Sequence, residues 1–460
     1  MTDLITNLTI SGDSVKRKPR RQAPGRLGHR DLLSGQWWRR CDAWRDVDEE
    51  TFLDYRWQNR NSVTDTEQLL ATLGRLVDES FVSDVEDGLH LAPMAIRLSP
   101  NVLSLIDWND PYSDPIRRQF IPLGSESKPD HPMCALDSLA EQDDTVVPGL
   151  VHRYPDKVLF LALDVCPVYC RFCTRSYSIG EETDNVEKVS NRPQQERWEQ
   201  AFEYLRENTH VEDVVVSGGD VYMLPAKRLR LIGEALLDIP HIRRVRFATK
   251  GLAVMPQKVL SDQAWLDALT DVVQKGRERG KHICVHTHFN HPREITDISR
   301  RACDELFRRS ITVRNQSVLL RGVNDDLRTM LRLVRRLSWV NVQPYYVYIH
   351  DMVPGVETLR TTLGEAIELE KQVRGRTAGF MTPTFVCDAM GGGGKRDLHS
   401  FEHYEPETGI AIYRSPVVNS DRLFFYFDPL RNVAPPVRRA WHSEHGRERL
   451  LRQAVERADL

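Results

Sequence analysis

The stretch Val158-Leu-Phe-Leu-Ala-Leu-Asp-Val165 runs directly into Cys166-Pro-Val-Tyr-Cys170-Arg-Phe-Cys173. Its first half is apolar without alternation, as a strand covered on both faces requires. Five more runs of this kind follow: VEDVVVSGG from Val211, RRVRFATK from Arg243, HICVHTHF from His282, ITVRNQSVLL from Ile311 and VNVQPYYVYI from Val340. Helix-length amphipathic stretches separate them, so the segment reads as six βα units around a parallel sheet. The predicted fold class is α/β, a partial (β/α)6 barrel. Its functional groups are expected where the strands end.

Upstream, from Trp37 to about Ile106, apolar residues recur at helical spacing, as in TDTEQLLATLGRLVDE, with Thr64 or Asp65 as N-cap. Downstream the text is less regular. It holds Gly391-Gly392-Gly393-Gly394-Lys395, two short strand-like stretches (GIAIYRS, RLFFYFD) and a charged terminal helix. The expected division is a flexible basic tail over 1–30, a mainly helical region over 31–145, the barrel over 146–370 and a C-terminal region over 371–460.

Composition narrows the function. The chain has 460 residues, 40% of them hydrophobic, with 63 Lys plus Arg against 66 Asp plus Glu. This balance leaves no electrostatic footprint for nucleic acid. No apolar run approaches the roughly twenty residues of a membrane span, and the N-terminal stretch lacks the apolar run expected of a secretory signal. No nucleic-acid or membrane partner is expected. Eight cysteines are too few for a disulfide scaffold in a chain of this length. Three of them are bunched, which points to a reducing, cytoplasmic setting and one thiolate site.

That site has the spacing C-x3-C-x2-C and directly follows the first barrel strand. Zinc sites draw a second ligand pair from elsewhere in the chain, and none is evident. Iron–sulfur clusters usually take four thiolates. Three on one loop would hold three irons of a 4Fe–4S cube and leave the fourth open to an exogenous ligand. The spacing resembles the radical S-adenosylmethionine superfamily, whose open iron binds the amino acid moiety of S-adenosylmethionine. Ser217-Gly218-Gly219-Asp220, at the end of the second strand, resembles the element that holds the methionyl amine in that superfamily. Glycine there admits close backbone approach.

The glycine run is not a Walker A loop, since Arg396 follows Lys395. Its backbone could form an anion nest, and a desolvated lysine amine is a Schiff-base nucleophile. Further motifs are His152-Arg153-Tyr154-Pro155-Asp156, Asn315-Gln316-Ser317 through Gly322-Val323-Asn324, Pro344-Tyr345-Tyr346, and Pro383-Thr384-Phe385-Val386 with Asp388. Together with the cysteines they resemble the lysine 2,3-aminomutase family, from about Tyr55 to Lys395.

The resemblance implies an isomerase with three cofactors: a 4Fe–4S cluster on Cys166, Cys170 and Cys173, S-adenosyl-L-methionine, and pyridoxal 5′-phosphate on Lys395. Gly391 to Gly394 and Arg153 would contact the pyridoxal group. Gly218, Gly219, Asp220 and Gln316 would line the S-adenosylmethionine site. Arg175 would pair with the substrate carboxylate, and Asp351 and Asp388 with the distal ammonium of lysine. The reaction implied is migration of the α-amino group to C3, giving L-β-lysine. Arginine, also cationic at its far end, is the alternative substrate, while glutamate is disfavoured by the two aspartates. An iron–sulfur sensor or zinc-binding protein is the non-enzyme alternative. An electron donor such as flavodoxin or ferredoxin and a homo-oligomer are also implied. Clostridial-type members bind zinc between subunits through a cysteine two residues after the Val-Asn of the Gly-Val-Asn element and a C-terminal cysteine triplet. Here that position is Asp326 and no cysteine follows Cys387, so this zinc site does not carry over.

Overall fold

The computed structural model describes residues 27–192, 194–418 and 420–459. Ten strands form one sheet in sequence order: β1 (Thr145–Val147), β2 (Leu150–Tyr154), β3 (Lys157–Leu163), β4 (Asp213–Gly218), β5 (Arg244–Ala248), β6 (His282–Thr287), β7 (Thr312–Leu319), β8 (Gln343–Ile349), β9 (Thr384–Ala389) and β10 (Gly394–Asp397). From β3 to β9 every neighbouring pair is parallel. The β1–β2, β2–β3 and β9–β10 pairs are antiparallel. The six predicted strands are β3 to β8, and helices follow each of them. β9 is a seventh parallel member that the sequence reading left in the C-terminal region. Among the described residues the two sheet edges do not pair, so the barrel is open.

The strands are buried for the reason their sequences suggest. In β3 and β4, Val158, Phe160, Val214 and Val216 point toward the helices and are at most 1% exposed. Phe160 meets Phe202 of the helix Gln195–Glu207 edge-on at 5.8 Å. That helix also fastens the C-terminal end of β3. Arg197 donates to the carbonyls of Leu161, Ala162 and Asn191, and Trp198 Nε1 to Ala162 O at 3.0 Å.

The upstream region is helical as predicted, and Asp65 is the N-cap of Thr66–Leu73, accepting from Gln68 N. Its stacked Trp38 and Phe52 rings belong to the common core. The expected basic tail lies outside the described residues up to position 26. Just beyond it, Gly28 and His29 offer their carbonyls to Arg336 on the helix Leu327–Trp339. Asp326 caps that same helix, accepting from the amides of Arg328 and Thr329. Beyond β10, the strands β11 (His403–Glu405), β12 (Ile410–Arg414) and β13 (Leu423–Phe427) form a second, antiparallel sheet. No helix is long and apolar enough to cross a membrane among the described residues.

Candidate active site

The cysteine loop leaves β3 at its C-terminal end and is pinned from the helical region. Tyr169 N donates to Arg97 O and Arg171 N to Gln119 O, both at 3.0 Å. Phe172 stacks on His288 with ring centroids 5.7 Å apart. Burial pushes the Cys170 thiol up to about 12 and raises Cys166 and Cys173 as well. Loading a metal cluster would therefore release protons. Among the described residues no three His, Cys, Asp or Glu side chains are grouped to hold one metal ion. Three thiols without a carboxylate or imidazole fit a multi-iron cluster, where each sulfur serves a different iron.

The glycines after β4 let the chain pass under this loop. A Cβ on Gly218 would lie 2.2 Å from Leu163 O, and one on Gly219 would lie 2.4 Å from Val165 O. Gly219 N donates to Leu163 O and Asp220 N to Val165 O. Asp220 is buried, and each of its carboxylate oxygens accepts a backbone amide, from Tyr222 and Lys250. Gln316, on β7, lies 2.6 Å from His286 Nδ1 through its side-chain amide and accepts from the Tyr348 hydroxyl. Burial holds His286 neutral, lowering it to about 3.

The glycine run is the turn of the β9–β10 hairpin rather than a free loop. Gly391, Gly392 and Gly394 have φ between 68° and 90°, a region open to glycine at little cost. A Cβ on Gly393 would overlap Phe424 at 2.5 Å, and one on Gly394 would lie 2.8 Å from the Tyr154 hydroxyl. The amides of Gly391 and Gly393 are taken by Ser138 O and Ala389 O. The expected nest is therefore only partly free. Gly392 faces Arg153, whose Nε would sit 3.8 Å from an added Cβ and which pairs with Asp144 at 2.6 Å. A glycine turn against an arginine, next to a lysine whose amide donates to Tyr154 Oη, suits a phosphorylated aldehyde.

Register brings the charged groups together. Lys395 and Asp388 are cross-strand partners, and their Nζ and Oδ2 are 2.8 Å apart. The other Asp388 oxygen, Oδ1, is buried and accepts nothing among the described residues. Asp351, just past the end of β8, accepts from the Thr174 hydroxyl at 2.5 Å. Burial first, and then the charge of Asp388, push Asp351 up to about 7. Lys395 goes the other way: burial alone would lower it, but Asp388, Tyr348 and Tyr154 hold it well above the ordinary lysine range. Arg175 follows Thr174 directly in the chain. Its Nε and Nη2 grip Glu141 at 2.8 and 2.7 Å, and Tyr177 donates to the same carboxylate at 3.0 Å.

The structure thus joins Arg153, Arg175, Asp351, Asp388 and Lys395 in one charged site. The cysteine loop borders it through Thr174 and Arg175. Sequence reasoning missed Glu141, Asp144, Thr174, Tyr177, His286 and Tyr348. Only Thr174 carried a signal, as the neighbour of Arg175.

A model of the Radical SAM superfamily matches residues 162–334. The chain is 39% identical to the L-lysine 2,3-aminomutase of Clostridium subterminale, covering 78% of this chain and 80% of that one. It is 37% identical to the L-lysine 2,3-aminomutase of Acetoanaerobium sticklandii, over 76% and 79% of the two chains. The glutamate 2,3-aminomutase of Clostridioides difficile is 32% identical over 76% and 77%.

Proposed function

This chain belongs to the lysine 2,3-aminomutase family of the radical SAM superfamily, and we propose that within it the substrate is L-lysine and the product L-β-lysine. The observation that carries this reading is the buried Asp388 Oδ1 with Asp351 nearby, an acceptor pair with no side-chain donor beyond Lys395 and Thr174 among the described residues. Two carboxylates in a buried site favour a cation and repel an anion. A glutamate side chain would bring a third negative charge against them.

Cys166, Cys170 and Cys173 would hold the cluster. Gln316 and the Gly218–Asp220 turn would face S-adenosylmethionine, and Lys395, with Arg153 and the glycine turn, would hold pyridoxal phosphate. When bound, these groups supply a 5′-deoxyadenosyl radical and a π-system that steadies an unpaired electron beside the migrating nitrogen. The protein supplies placement. Arg175 fixes the substrate carboxylate, with the planar fork that carboxylates fit best. Asp351 and Asp388 fix the distal ammonium, so the carbon chain is held at both ends and C3 is presented in one position. A pyridoxal group held on Lys395 would take up the amine that now pairs with Asp388, leaving that carboxylate to the substrate cation. The Thr174 hydroxyl donates to Asp351 and keeps that carboxylate aimed into the site. Burial of His350 and Asp388 keeps water from the reacting centre.

Arginine satisfies the same two-ended logic and is the second reading, since its guanidinium also suits paired carboxylates. Anaerobic reconstitution with iron, sulfide, pyridoxal phosphate, S-adenosylmethionine and a reductant, followed by product analysis with each amino acid, decides between them. β-Lysine from lysine is the expected result. Turnover of arginine or glutamate but not lysine would overturn the assignment.

A further inference from the structure

The substrate reading leaves Glu141 without a task, although it sits on the very arginine expected to read the substrate. Glu141 is only 4% exposed and comes from the loop just before β1. Its two oxygens take both donors of the Nε/Nη2 edge of Arg175 and the Tyr177 hydroxyl. Among the described residues Nη1 of Arg175 makes no hydrogen bond, and 24% of the arginine side chain remains open. A guanidinium has five donors in a rigid plane, so one edge can be anchored while the other stays available.

The alternative is that the substrate carboxylate displaces Glu141. That would strand a buried carboxylate on Tyr177 alone, and leaving one member of a buried ion pair unpaired is strongly unfavourable. Displacement is therefore the weaker account. Keeping Glu141 in place costs nothing and fixes the plane of the fork.

We propose that Glu141 is a positioning residue: with Tyr177 it clamps the Nε/Nη2 edge of Arg175 and turns the free Nη1 edge to the carboxylate of the amino acid substrate. This deepens the substrate reading above and rests on it. Glu141 touches neither substrate nor cofactor. It acts by preventing the guanidinium from rotating, so its removal affects ligands that carry a carboxylate and spares those that do not.

The test uses protein loaded with pyridoxal phosphate and follows the cofactor absorbance as ligand is added. L-Lysine is compared with L-lysinamide, which keeps both amines and has no carboxylate. Glu141→Gln is expected to weaken lysine by about ten- to hundredfold, the value of a charged hydrogen bond, and to leave lysinamide within about twofold of wild type. Tyr177→Phe, which keeps the ion pair, is expected to give the same lysine-only pattern at a smaller size. It also serves if Glu141→Gln does not fold. Equal losses for both ligands, or no loss for either, would overturn the positioning role. If wild-type protein binds neither ligand, the lysine reading falls instead. That outcome is distinct, because it does not depend on the variants.

Discussion

Asp351 is the residue whose environment makes the sharpest claim. Burial and the neighbouring Asp388 raise it to about 7, against an ordinary value near 4. A carboxyl raised on folding favours the native state while it stays protonated, and that advantage is lost as pH rises from about 4 through about 7. Asp428, raised by burial to about 6, slopes the same way, so the informative quantity is a difference. The melting temperature of the cofactor-free protein is expected to fall less between pH 5 and pH 8 in Asp351→Asn than in wild type; identical slopes would contradict the assignment. Binding of a distal cation reverses the preference, because it needs the ionised form. Lysine affinity is accordingly expected to improve as pH passes upward through about 7, and titrations at pH 6 and pH 8 check this. Lys395 gives a second, independent expectation. Lys395→Ala should abolish the borohydride-sensitive pyridoxal absorbance yet leave the iron–sulfur spectrum intact, since the two groups sit on different strand ends.

The strand ends show what could be read from the sequence and what could not. β3 to β8 were legible because parallel strands covered by helices must be apolar throughout, and the cysteines marked the end of β3. β9 was not counted, although PTFVCDA is of the same kind, because the glycine run next to it read as a loop. The register of the hairpin, which sets Lys395 opposite Asp388, is invisible without the turn geometry. Glu141 was beyond reach for another reason: it lies 34 residues from Arg175 in a loop with no pattern of its own. The glycines were legible as permissive, but their service to the cysteine loop was not. Gly219→Ala tests that service. Its Cβ would meet the backbone at Val165, 2.4 Å away from the oxygen and 2.6 Å from the nitrogen, and neither atom can move without dragging Cys166. Reconstituted Gly219→Ala is expected to hold markedly less iron and sulfide than wild type while still taking up pyridoxal phosphate. Full iron content would show that the loop does not depend on this close approach.

Among the described residues one apolar cluster crosses the boundaries expected between the helical region, the barrel and the C-terminal region. It includes Trp37 and Phe52 of the helical region, Phe160 and Val216 of the barrel, and Phe427 and Trp441 beyond it. The C-terminal part is a brace for the site. Tyr426 donates its hydroxyl to His350 O at 3.2 Å, next to Asp351, and Cys387, next to Asp388, is fully buried. Trp441 holds this brace down, edge-on to Phe427 at 5.0 Å and to His131 at 4.6 Å. Truncating a buried tryptophan costs about 3–5 kcal/mol. If the regions share one core, Trp441→Ala should move the entire denaturant transition to lower concentration. Tryptophan fluorescence and pyridoxal absorbance should then still change together, the signature of a single cooperative unit. A C-terminal region that is merely appended would instead unfold first, with the pyridoxal absorbance on Lys395 changing before the fluorescence, because Trp441 is the only tryptophan beyond residue 371.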